Sequence, residues 1–340
     1  MSSAIQNKIK TEYSTYLVKK TEYDNATEDA KAILKPYRLS DNSVSGTQEE
    51  IESDVKLPET RIKAIPEVGT ESSSGNLECE WNIDEQDDLL ASVFCSSWDE
   101  TDWNSSAGTG KKTLANGTAR DIYYMIKKYN QEPKAWEMFN GIQIDSVSIT
   151  MALNSIVKMS FALLGSNNPV PVLSDPTVNA EYGDALTTKA FITKELAMNI
   201  KPYSSGDELS WTFTEAQQMR QCPSFELSVS NNKERTDALG ETEAIEMSDG
   251  DFVVEGTFEC WNADKKAISL KADAISGKDK LIEMSVFRTY GGFKTTYSIQ
   301  LIAHLKTPSE SKDGSKLKYS IPFSVNTENG IKIVKTVEAV

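Results

Sequence analysis

The chain has 340 residues, 39% of them hydrophobic, and its 51 Asp and Glu against 36 Lys and Arg give a net charge of −15. That length supports a sizeable core in about two domains, and an acidic balance with no segment that concentrates Lys and Arg argues against gripping nucleic acid through its phosphates. No apolar run is long enough to span a bilayer, the N-terminus lacks the apolar stretch of a secretion signal, and four cysteines without Cys-x-x-Cys spacing beside a single His304 argue against a Cys/His zinc site.

Residues 1–36 are polar, carry a short helical pattern that stops at Lys35-Pro36, and read as an N-terminal arm. Residues 40–56 are acidic and poor in apolar side chains, which predicts a loop or flexible arm. Residues 59–65, ETRIKAI, read as a strand. In GNLECEWNI, residues 75–83, Leu77, Cys79, Trp81 and Ile83 alternate with polar residues, the mark of a half-buried strand. Asp84 is the expected N-cap of a helix whose inner face carries Leu89, Leu90, Val93 and Phe94. Residues 96–119 read as a long polar loop.

Strands resume at DIYYMIKKY, residues 121–129. In residues 140–153 the inward phase moves from Ile142 and Ile144 to Val147, Ile149, Met151 and Leu153, and a one-residue phase shift inside a strand predicts a bulge. Residues 156–165 then alternate Val157, Met159, Phe161 and Leu163. Past residue 222 the same order returns: a strand at 223–230, GTFECWN within 251–262, a helix with Ile268, Ala272 and Ile275 on one face, then strands at 281–290, 297–306 and 315–325. The repeat period is far too long for a solenoid and fits two copies of one β-rich domain. The expected organisation is an arm at 1–36, a first domain at 37–173, a connecting segment at 174–221 and a second domain at 222–340. Leu77, Cys79 and Trp81, with Phe258, Cys260 and Trp261, are the expected core of the repeated strand. A catalytic cysteine needs a nearby base, and one histidine cannot serve both copies.

Three stretches invite a chemical reading. SAGTGKKT, residues 106–113, lacks the glycine spacing and the leading apolar strand of a phosphate loop, and reads as a glycine-rich loop. The carboxylates of residues 84–88, DEQDD, lack the alternate-residue pattern of a calcium loop and read as complementing a helix N-terminus. The aromatic and lysine mixture of residues 121–136 reads as strand alternation rather than a base-stacking platform. No acid/base pair, triad, metal site or cofactor motif emerges.

The order of these phrases resembles the tail tube proteins of siphophages, the long-tailed non-contractile bacteriophages. The resemblance rests on VKKTEYDNATEDAKAILKPYRLSDNSVSG, IESDVKLPETRI, SSSGNLECEWNIDEQDDLLASVFCSSW, FNGIQIDSVSITMALNSIVKMSFALLGSN and PSFELSVSNNKERTDALGETEAIEMSDGDFVVEGTFECWN. It covers most of residues 20–330, although TEYDNATEDA departs from the family's usual N-terminal Gly-Thr pattern. The resemblance implies a mainly β structural virion protein, not an enzyme, built of β-sandwich domains with a flanking helix. Subunits would join inner sheets edge to edge into stacked rings, forming a tube that carries double-stranded DNA at ejection and meets the tape measure, tail terminator and distal tail proteins. Two tube-type halves would make a three-chain ring with pseudo-sixfold symmetry; six chains, or a decoration or carbohydrate-binding role, are the alternatives. Residues 40–56 and 96–119 are the expected ring-to-ring contacts.

Overall fold

The computed structural model describes residues 13–52, 67–130, 132–204, 211–219, 222–238, 240–262, 265–314, 316–327 and 330–340. The strand expected at 59–65 lies outside the described residues. The first half runs β1 (Tyr13–Lys19), α1 (Lys20–Asp24), β2 (Ala32–Tyr37), β3 (Leu39–Asn42), β4 (Ser45–Ile51), β5 (Glu67–Glu80), α2 (Asp87–Val93), β6 (Trp103–Asn104), β7 (Thr109–Ala115), β8 (Tyr123–Tyr129), β9 (Trp136–Ala152) and β10 (Lys158–Gly165). The connecting stretch adds β11 (Ala180–Tyr182), β12 (Leu196–Pro202) and β13 (Gln218–Met219). The second half runs β14 (Ser224–Ser230), β15 (Glu234–Thr236), β16 (Glu246–Ser248), β17 (Val253–Trp261), α3 (Lys265–Ile275), β18 (Asp279–Tyr290), β19 (Phe293–Leu305), β20 (Ser309–Asp313), β21 (Lys316–Val325) and β22 (Ile331–Ala339). The protein is mainly β, as its alternating patterns predict, and its sheets do not close within the chain.

One antiparallel layer organises the molecule. β3 and β4 pair successively along β5, and from there the order is β5–β10–β9–β14–β17–β21–β20. Its apolar face carries Leu77, Cys79, Ile149, Met159, Phe161, Phe225, Leu227, Phe258, Cys260, Ile321 and Phe323, all buried in one continuous core cluster. Each such large side chain contributes about 1.5–3 kcal/mol by leaving water. Above this face lie α2 and a second layer built from β12, β18, β19, β22 and β7, while β1, β2 and β8 extend from the first part of β9. The rings of Trp81, Phe191 and Tyr297 meet at centroid distances of 5.2–5.8 Å, so the first half, the connecting stretch and the second half share one aromatic knot.

The pairing order recurs. β4–β5–β10–β9–β8–β1 in the first half reappears as β14–β17–β21–β19–β18–β12 in the second. Gly75 and Gly256 hold matching places, and both lack room for a side chain: a Cβ would come within 2.5 Å of Val44 Cα at Gly75 and 2.4 Å of Glu226 O at Gly256. The bulge expected in residues 140–153 falls at Asp145, between the pairs Leu163↔Ile144 and Ala162↔Ser146. It turns one long strand from the β8 ladder to the β14 ladder.

Local reading fails at several places. Helix α2 starts at Asp87 with Gln86 as N-cap, not at Asp84, whose φ of 65° lies outside helical space. Helix α3 buries Ala267, Leu270 and Ala274 and leaves Ile268 and Ile275 exposed. The small side chains let α3 approach β21 and β19, so packing distance overrides hydrophobicity in choosing its inner face. Residues 96–119, expected as a loop, contain the β6–β7 hairpin, because β7 finds a partner in distant β22. Residues 39–51 form β3 and β4 against β5, although all of β4 except Gly46 is exposed. Residues 13–37 form β1, α1 and β2 rather than a bare helical pattern.

Candidate functional site

The residues that carried chemical suspicion are structural. Asp84 and Asp87 both meet the Lys335 ammonium, buried Glu85 meets Arg38, and Asp88 accepts from Lys35 at 2.5 Å. The cluster is therefore consumed in fixing the start of α2 against β22 and β2. Lys112 of the glycine-rich stretch lies in β7, 2.6 Å from Glu100 and 4.4 Å from the centre of the Trp103 ring. His304 Nδ1 lies 2.8 Å from Asp279. The four cysteines are free thiols. Burial pushes the Cys79 and Cys222 thiols up to about 12, the opposite of an activated nucleophile.

Leu77, Cys79, Trp81, Phe258 and Cys260 are buried. Trp261 is not among them: it is half-buried, with Lys316 and Lys318 amines 5.6 and 6.0 Å from its ring centre. The spacing explains the difference. Trp81 stands two residues after Cys79 and shares its face, whereas Trp261 stands one residue after Cys260 and points the other way.

The feature with functional character is the second face of the nine-strand layer, opposite the core. Two rows cross six strands. One reads Glu78–Ser160–Ser148–Ser228–Glu255–Ser324 and the next Glu80–Lys158–Thr150–Glu226–Thr257–Pro322. Alternation forces this pattern: when one face of a strand is committed to a core, every intervening residue must face away from it. Along the six strands, with Glu259, Lys316 and Lys318, the face carries five glutamates against three lysines on a hydroxyl-rich field, and the Lys306 amine reaches in from just past β19. Lys318 meets Glu259 at 2.7 Å and Lys306 meets Glu255 at 2.6 Å. Partial burial opposes ionisation of Glu259, but hydrogen bonds from Lys318 and Ser224 and the nearby ammonium outweigh it and hold its pKa below the ordinary glutamate range. Among the described residues this broad, polar surface brings together no catalytic constellation, and its carboxylates outnumber its ammonium groups.

The layer ends at two strand margins. At one end β20 pairs only with β21 among the described residues, and at the other β3 and β4 pair only with β5. In the middle, β9 and β14 join the two halves over seven consecutive residue pairs, Ser146↔Ser230 to Ala152↔Ser224. Sequence reasoning found the strands and missed this joint, because a ladder between residues separated by more than 70 positions leaves no local signal.

A family model described as phage tail tube protein matches residues 10–325. No curated protein matches the chain.

Proposed function

The chain belongs to the phage tail tube protein family, and from that premise we propose that it polymerises as stacked rings into the hollow tail tube of a long-tailed, non-contractile phage. The nine-strand layer supports the reading. It is apolar on one side, anionic and hydroxylic on the other, and terminated by strands whose outer margins call for partners. Closing such layers side by side removes the margins and makes a barrel with the polar face inside. Head-to-tail stacking of rings then gives a filament rather than a finite particle.

The recurring ladder order supports treating the halves as two tube-type domains, with three chains per ring and pseudo-sixfold symmetry. The face bearing Glu78, Glu80, Glu226, Glu255 and Glu259 would line the bore. Double-stranded DNA would pass at ejection without adhering, because fixed carboxylates repel its phosphates. In this role the chain has no catalytic or cofactor duty. Its partners are further copies of itself and the tail's tape measure, terminator and distal proteins, and it works in the virion after assembly in the host cytoplasm.

Imaging concentrated purified protein by negative stain is expected to show hollow tubes, and the ring mass by cryo-electron microscopy is expected to equal three chains. A compact monomer at every concentration refutes the tube, whereas six chains in each ring refute the threefold arrangement alone.

A further inference from the structure

The joint between β9 and β14 lies inside one chain, yet it has the form of a subunit contact, and its register can be carried to the margins of the layer. Matching the β5–β10 ladder to the β17–β21 ladder sets Leu77 and Phe161 on Phe258 and Ile321. Ser45 then falls at the position of Ser228, since Ser45 opposes Ser74 in β5 as Ser228 opposes Glu255 in β17. Likewise Ser309 falls at the position of Ser148, since Ser148 opposes Ser160 and Ser309 opposes Ser320. In the internal joint Ser148 and Ser228 are directly paired. We propose that β20 of one chain adds to β3 and β4 of the next copy in this same register, Ser309 opposite Ser45 and Glu310 opposite Val44. The inference rests on the tube reading above and specifies which strands meet and how.

The receiving margin is occupied in the free chain. Ser43 N donates to Asn76 O in β5, so alternation turns the polar backbone groups of Asn42 and Val44 outward. Side chains hold three of them: Tyr13 Oη donates to Asn42 O at 2.6 Å, Val44 N donates to Asn42 Oδ1 at 2.9 Å, and Lys127 Nζ donates to Val44 O. A hydroxyl, an amide and a buried ammonium therefore stand where the backbone of an added strand would bond, a direct way of guarding an edge. The donating margin is guarded too, by its five-residue length, its charged residues and the preceding Pro308. In the proposed register Glu310 comes opposite Val44, so its carboxylate arrives beside the Lys127 ammonium and replaces the carbonyl that Lys127 gives up. Lys271, now paired with Glu310, is half-buried beside the Tyr319 ring, and Glu310 is exposed, so the pair separates at little cost.

The test is site-directed cross-linking of the full-length chain under assembling conditions. Directly opposed residues of an antiparallel pair have Cα atoms about 4.5–5.5 Å apart, within disulfide range. The Ser45→Cys/Ser309→Cys variant, oxidised after tubes form, is expected to give chain-to-chain disulfides in most copies, and the slipped-register control, Thr47→Cys/Ser309→Cys, at least about tenfold less. Tyr13→Phe is expected to speed spontaneous assembly by about fivefold, since it removes one guard bond and leaves Lys127 to receive Glu310. Tubes that form while only the slipped pair links, or neither pair links, overturn this register and leave the tube reading standing. Unchanged assembly by the Tyr13→Phe protein, shown folded by circular dichroism, overturns the guard. A ladder of linked chains that stops at three upholds both the register and the threefold ring; one that runs to six upholds the register and removes the threefold ring. No hollow assembly under any condition removes the tube reading and this inference together.

Discussion

Lys335 shows how a single residue joins distant parts of the chain. Its side chain is 5% exposed and its ammonium sits between Asp84 and Asp87, with the Tyr297 ring centre 5.3 Å away. Burial alone would lower its pKa, but the two carboxylates outweigh burial and hold it above the ordinary lysine value. The folded pKa thus exceeds the unfolded value of about 10.4, so the stabilisation is full below that pH and fades as pH climbs through the folded value. Lys335→Met leaves Asp87 with the Tyr297 hydroxyl as its remaining charge-stabilising donor while Asp84 stays open to water, and is expected to cost about 1–3 kcal/mol near neutral pH. In urea titrations the gap between wild type and variant should narrow once pH passes about 10.4. A gap that stays constant up to alkaline unfolding would show that Lys335 acts by packing alone.

Among the elements, β9 carries the most consequence. Its first part belongs to the β8 ladder and its second part to the β14 ladder, while the β10 ladder runs past both and skips Asp145. The bulge is held from outside: Asn231 N and Nδ2 donate to Asp145 O at 3.0 and 3.1 Å, and Lys233 N donates to its carboxylate at 2.7 Å. Deleting Asp145 would leave Ile142, Ile144, Val147, Ile149 and Met151 in simple alternation on the apolar face, but it would remove the acceptors of Asn231 and Lys233 and straighten β9 between its β8 and β14 ladders. Losing these three hydrogen bonds, one of them to a carboxylate, is expected to cost about 2–4 kcal/mol, read as a lower urea midpoint of the deletion variant. A deletion protein with an unchanged urea midpoint would mean that the bulge is dispensable. The phase shift was visible in the sequence, but the partners that hold it, Asn231 and Lys233, lie more than 80 residues away and were not.

At the scale of the whole molecule, a bore lined by the polar face would set how an assembled tube treats DNA. Glu78 and Glu226 are exposed on that face and lie within its two neighbouring rows. Glu78→Lys/Glu226→Lys leaves the core and both margins intact, so tubes should still form. If the face lines the bore, the variant tubes should retain short duplex DNA in low salt, while wild-type tubes do not. Each new phosphate contact should steepen the fall of log affinity with log salt by about 0.9. Equal DNA retention by wild-type and variant tubes would take this face out of the bore.

The sequence by itself determined which residues form strands, which side of each strand is apolar, where β9 shifts phase, and that the second half follows the order of the first. These are local properties, written in alternation with a period of two and in the recurrence of Gly-x-x-Glu-Cys. It also carried enough of the family's phrasing to be placed among tail tube proteins. Only the tertiary structure decided that the halves fuse through β9 and β14 into one layer, that β7 leaves its loop to pair with β22, and that the DEQDD carboxylates are used up by Lys335, Arg38 and Lys35. Backbone hydrogen bonds are the same for every residue type, so strand pairing at long range leaves no trace in local pattern. The choice among margins is made by packing, by charge and by which edges the rest of the chain leaves open.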